Sequence, residues 1–237
     1  MESEPNFGVS RKRIYWMGGA KGGVGKSMLT MAAIDYLTAK GEKILLVECD
    51  MDNPDVWKTY NREVDDTELI NLREADGWIH LVNVSHEHPE HVVVVNTAAQ
   101  NSEGVTKFGA TLDSSLDELG RPLITLWVIN RQRDSVELLR NFLAAVPRAA
   151  VHVIRNGYWG DERKFELYNE SHVRRDLVEG RGGQSVTFSE LADRVADDIY
   201  TKRLSIATAS KKLPLGNRAE LARWRGEAHR VLAGLME

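Results

Sequence analysis

The sequence holds a single cysteine, Cys49, in 237 residues. It can therefore form no intrachain disulfide and no all-cysteine metal site, and one thiol cannot supply the ligands that bridge an iron–sulfur cluster. So little thiol chemistry fits a reducing compartment, and the cytoplasm is the expected location. Long apolar runs are also missing. No stretch approaches the roughly 18 continuous apolar residues that span a bilayer, and the opening MESEPNFGVSRKR lacks the apolar core of an export signal, so a membrane location is not expected. Nor is there an excess of positive charge. Lys and Arg number 31 against 35 Asp and Glu, for a formal net charge of -4, so any polyanion must meet a local patch. Repeats and low-complexity tracts are absent.

What is present is enough apolar material, 42% of the chain, to bury one substantial core. Residues 1–12 are polar and read as a flexible tail, leaving 13–237 as a single domain. Ile14 to Met17 is a short β-favouring run that ends in glycines, followed by helical spacing from Ser27 to Lys40 that stops at Gly41. Four more runs are nearly continuous in apolar residues, the mark of strands covered on both faces: Lys43 to Cys49, Val92 to Val95, Leu123 to Ile129 and Val151 to Ile154. Helical candidates at Leu112 to Leu119 and Ser135 to Ala145 lie between them. The expectation is an α/β fold, a mostly parallel twisted sheet with helices on both faces. Gln100 to Gly109 reads as irregular, and 157–184 as a charged, largely helical stretch.

Between the first strand and first helix stands Ala20-Lys21-Gly22-Gly23-Val24-Gly25-Lys26-Ser27. Strand, glycine loop and helix are the context in which backbone N–H groups curl around phosphate oxygens and the helix N-terminus adds its positive end. Lys26 then reaches the β- and γ-phosphates and the Ser27 hydroxyl is placed to ligate magnesium. The pattern GxxxxGK(S/T) puts a glycine where Ala20 stands, a departure of one methyl group. The dinucleotide pattern GxGxxG fails, because Met28 occupies the place of its third glycine.

With its second lysine, Lys21-Gly-Gly-Val-Gly-Lys-Ser27 resembles the deviant Walker A proteins, the group of ParA partition ATPases and MinD cell-division regulators. The resemblance implies a MinD-like P-loop NTPase fold that binds ATP or ADP with magnesium. It also implies that Lys21 reaches across a homodimer formed on ATP binding. Leu45-Leu46-Val47-Glu48-Cys49-Asp50 resembles the strand carrying the paired acids of switch I, and Glu48, Asp50 and Asp52 share one face while the chain stays extended. Asp50 is the residue expected to position water and to serve the metal. Val92 to Ala98 (VVVVNTA) resembles the Walker B strand, but Asn96 stands where the family has an aspartate, which predicts slow hydrolysis. Ile154-Arg155-Asn156 resembles the strand end whose asparagine recognises adenine.

The site expected from this resemblance comprises Lys21, Asp50 and Lys26 as catalytic groups. Lys21, Gly22, Gly23, Val24, Gly25, Lys26, Ser27, Met28 and Asn156 bind nucleotide, and Ser27, Asp50 and Asn96 hold the metal. Arg133-Asp134-Ser135 resembles a MinD-type helix start, with Asp134 or Ser135 as its N-cap. VVVVNTA, WVINRQRDS and the segment from Arg155 to Gly160 are most similar to StbB or TraL-type proteins of conjugative plasmids. That similarity implies a part in plasmid stability, positioning or transfer beside a plasmid-encoded DNA-binding partner. An adaptor that binds nucleotide without turnover, and a small-molecule kinase or ligase on the same fold, are the alternatives.

Three remaining features carry less. From Tyr200 onward eight Lys or Arg face three acids, a composition that serves either non-specific DNA binding, as in ParA relatives, or an ordinary solvated face. Leu221, Trp224, Val231, Leu232 and Leu235 form a helical stripe that is expected to pack on the sheet rather than on a membrane. His86, His88 and His91 lack cysteine partners and a helical HExxH frame, and are not taken as a metal site.

Overall fold

In the computed structural model, which describes residues 12–19, 22–99 and 101–236, the apolar runs become the middle of one sheet. The chain runs β1 (Ile14–Gly19), α1 (Lys26–Ala39), β2 (Ile44–Glu48), α2 (Asp55–Tyr60), β3 (Asp66–Leu69), α3 (Ala75–Glu87), β4 (Val92–Asn96), α4 (Ser102–Leu119), β5 (Leu123–Ile129), α5 (Arg133–Ala145) and β6 (Ala150–Asn156). Two 3-10 turns and the short helices α6 (Glu166–Asn169) and α7 (His172–Arg175) follow. Next come a single π-helical turn, β7 (Ser185–Phe188), α8 (Asp193–Lys202), α9 (Ile206–Lys212) and α10 (Leu215–Met236). All strand pairs are parallel, in the order β3-β2-β4-β1-β5-β6-β7.

Parallel strands need helical crossovers, and here these cover both faces, so both faces of the central strands are apolar. Along β1, Tyr15 and Met17 join one core with α1, α8, α9 and α10, while Ile14 and Trp16 join the other with α3, α4 and α5. Helix α1 is buried nearly all round, Leu29 through Leu37, because it lies between the sheet and α10. Such a helix carries no polar stripe. Its one buried acid, Asp35, accepts hydrogen bonds at 2.6 Å from Arg225 Nε and at 2.6 Å from His229 Nε2, both on α10. Tyr15 Oη donates to the Met236 carbonyl at 2.6 Å, fixing the far end of the same helix. The stripe Leu221, Trp224, Leu232 and Leu235 is buried in this core.

Two local expectations are corrected and one strand is added. Helix α4 begins at Ser102, inside the stretch read as irregular. Its glycines are there for contact: a Cβ on Gly104 would stand 2.0 Å from the Leu72 carbonyl oxygen. At the start of α5 the flanking residue is Gln132, not Asp134 or Ser135. The Ser135 hydroxyl instead donates to Asn130 Oδ1 at 2.8 Å, bracing the end of β5. Finally β3, with the sequence DTEL, is a strand that apolar patterning does not reveal, because it lies at the sheet edge with one neighbour. No helix among the described residues is long and apolar enough to cross a membrane.

Candidate functional site

Strand order reverses around β1: the chain moves outward through β2 and β3, returns at β4, and then crosses to β5 on the other side. In open α/β sheets the crevice outside the carboxyl ends of the strands at such a point is where ligands bind. The glycine loop leaves β1 at this place. Gly23 has φ +73 and Gly25 φ +105, left-handed values that suit glycine alone. Gly25 has a second reason: a Cβ there would lie 2.4 Å from Asn156 Nδ2.

Lys26 opens α1 and is buried, with burial lowering its pKa to about 8 against the opposing pull of the Asp50 carboxylate. Lys26, Ser27 and Asp50 line one cavity of about 400 Å³, together with Gly22, Gly23 and Gly25. Asp50 Oδ1 accepts the Asn53 N–H at 3.0 Å, closing a turn just past β2. The face shared by Glu48, Asp50 and Asp52 does not persist, because the strand ends at Glu48. Asp50 reaches the cavity, whereas Asp52 pairs outward with Arg73.

Glu48 points inward and is wholly buried, and burial pushes its pKa up to about 7 despite three hydrogen bonds. It accepts from the Asp50 N–H at 3.0 Å, the Trp57 N–H at 3.4 Å and Asn96 Nδ2 at 2.8 Å. Asn96 Oδ1 in turn accepts from the Thr30 hydroxyl at 2.8 Å. Asn96 and Glu48 are register partners on adjacent strands. An aspartate at 96 would set two buried carboxylates side by side, so the amide is what makes Glu48 tolerable. The amide is bonded at both its oxygen and its nitrogen and does not line the cavity, unlike Thr97. Asn96 is thus not brought together with Ser27 and Asp50 as the expected metal set requires.

A larger cavity of about 580 Å³ adjoins the first and shares Gly22, Gly23 and Gly25 with it. Ile154, Tyr158, Trp159, Phe188 and Trp224 make its walls predominantly apolar and aromatic, and Met28 also lines it. Trp224 Nε1 donates to the Ser189 carbonyl at 2.8 Å, which seats α10 against the loop after β7. Asn156 lines this cavity too. Its Nδ2 donates to the Val24 carbonyl at 2.8 Å and its Oδ1 accepts the Tyr158 N–H at 3.0 Å. One end of the amide therefore braces the glycine loop and the other caps the turn after β6, and a base would contact only the second N–H. The aromatic lining comes from the turn after β6, from β7 and from α10, and little of it is legible in the sequence. Lys21 and Ala20 lie outside the described residues.

The chain's other candidates are occupied structurally. His88 Nε2 lies 2.8 Å from Asp66 Oδ2 and its Nδ1 lies 2.9 Å from the Val84 carbonyl. Among the late basic residues, Lys202 pairs with Asp198, Arg223 with Glu220 and Glu227, and Arg225 with Asp35. Arg203, Lys211, Lys212 and Arg230 remain exposed.

A family model described as the CobQ/CobB/MinD/ParA nucleotide binding domain matches residues 17–156, and the chain belongs to that family. Protein MobD of Acidithiobacillus ferrooxidans is 62% identical over 225 residues, covering 95% of this chain and 98% of that protein. Among solved structures, the MinD cell division protein of Aquifex aeolicus is similar at 17% identity and TM-score 0.58, with 94% of this chain and 97% of that one covered. The septum site-determining protein MinD of Pyrococcus horikoshii, complexed with Mg-ADP, is similar at 15% identity and TM-score 0.59, with 95% and 99% covered. At such identities the likeness is one of fold.

Proposed function

We propose that the chain is an ATP-dependent dimerisation switch with weak ATPase activity, acting in plasmid stability, partition or conjugative transfer. The observation that carries the nucleotide part is the pair of adjoining cavities sharing Gly22, Gly23 and Gly25, one lined by Lys26, Ser27 and Asp50, the other aromatic. Their chemistry matches the two ends of a nucleotide. The polar chamber suits the phosphate tail and magnesium, with Ser27 and Asp50 as the groups that would hold the ion, and the aromatic chamber suits a base. Magnesium would neutralise phosphate charge, while Lys26 binds the tail and Asp50 orients water.

The dimer, with Lys21 acting in trans, follows the resemblance to deviant Walker A proteins, and the plasmid role follows the resemblance to StbB and TraL. A plasmid-encoded DNA-binding protein is the partner this reading calls for. Direct, non-specific DNA contact would fall to the exposed Arg203, Lys211 and Lys212.

Asn96 favours a second reading, an adaptor that holds nucleotide without turnover. Phosphate release, measured with and without DNA, separates the two. Release above a Lys26→Ala control supports the switch, and release no higher than that control selects the adaptor.

A further inference from the structure

The seam between the two cavities is lined by the backbone of Gly22, Gly23 and Gly25 and, among the described residues, by one side chain, Tyr200. Tyr200 belongs to α8, on the far side of the cleft from the glycine loop. Asp193, Ala196 and Tyr200 line the aromatic cavity at the i, i+3, i+7 spacing of one helix face, so α8 presents that face to the cleft. Only the last of the three also reaches the polar cavity. Its surroundings there are the glycine loop, Asp50, Asn53 and Asp55.

Tyr200 is not spent on the core. It is 40% exposed, while Val195 and Ile199 of the same helix are buried. Its hydroxyl has no hydrogen-bond partner among the described residues. Desolvation by the walls of the cleft, with a smaller contribution from the Asp55 carboxylate, pushes the phenol's pKa up to about 12. The group is a neutral O–H donor throughout the physiological range. A phenol that keeps its proton and finds no acceptor among the described residues suits an oxygen acceptor brought by a ligand.

We propose that Tyr200 is a nucleotide-binding residue whose hydroxyl donates to the phosphate chain next to the ribose, where base chamber and phosphate chamber meet. The assignment rests on the nucleotide reading given above. It makes α8 a second wall of the phosphate site, contributed by a segment far from the glycine loop in sequence.

Calorimetric titration of the full chain with Mg-ADP, and with adenosine by competition, tests it on wild type, Tyr200→Phe and Lys26→Ala. Removing one hydrogen bond to a charged acceptor is expected to weaken ADP binding by Tyr200→Phe roughly tenfold or more, and to leave adenosine unchanged. Unchanged ADP affinity in Tyr200→Phe, with Lys26→Ala defective, overturns the assignment and leaves the nucleotide reading standing. Equal losses for ADP and adenosine also overturn it, by moving the contact to the sugar or base. A wild-type chain that binds no ADP overturns both.

Discussion

The two ends of the cleft are built by opposite means. At the phosphate end a continuous segment does most of the work: positive φ at Gly23 and Gly25, a buried Lys26 and Ser27 beside it, with Asp50 opposite. Backbone shape and buried charge leave few substitutes there. At the base end the walls are apolar side chains gathered from β6 and the turn after it, β7 and α10, including Trp159, Phe188 and Trp224. No single one is dictated by backbone geometry. The phosphate end should therefore fail sharply on small changes, and the base end should yield gradually to large ones.

The sharpest break is expected behind the phosphate cavity. Asn96→Asp places a second carboxylate against wholly buried Glu48 and should destabilise the fold by roughly 3 kcal/mol near neutral pH, measured by chemical denaturation. Combining it with Glu48→Gln restores an amide–carboxylate pair in reverse and should recover most of the loss. Wild-type stability of Asn96→Asp alone would contradict the pairing.

The same acid gives a pH signature. The folded pKa of Glu48, about 7, lies above its ordinary 4.5, so the folded chain holds the proton more tightly than the unfolded one. Its stabilising contribution is present below pH 4.5 and is lost as pH rises toward 7, amounting to about 3 kcal/mol across that window. Denaturation midpoints of wild type should fall relative to those of Glu48→Gln over this range. Parallel profiles would contradict the shift.

Gly25→Ala should cost roughly 2 kcal/mol, since φ +105 is strained for alanine and its Cβ would meet Asn156 Nδ2. It should also remove nucleotide binding. The smallest effect is expected at the base end. Trp159→Ala should reduce nucleotide affinity less than tenfold. A larger loss at Trp159 than at Gly25 would invert the comparison.

This contrast also explains what the sequence disclosed. Phosphate loops are local, so the loop, α1 and the neighbouring β2 and β4 were readable from glycines and apolar runs. The inward turn of Glu48 was not, because strand alternation predicts a shared acidic face and β2 ends before that face can form. Helix α4 looks shorter in the sequence than it is because Gly104 resembles a breaker, whereas it marks close contact with Leu72. The aromatic chamber and Tyr200 depend on how residues more than a hundred positions apart meet, for which periodicity carries no signal. Asn156 is legible as a strand-end residue, but its hydrogen bonds tie it first to the glycine loop at Val24 and to its own turn at Tyr158.

The most direct measurement is heat on mixing Mg-ATP with the full-length chain. Saturable binding at one nucleotide per chain in wild type, lost in Lys26→Ala, is the result predicted. No heat in a folded wild-type sample, or equal binding by both proteins, would contradict the assignment of this cleft.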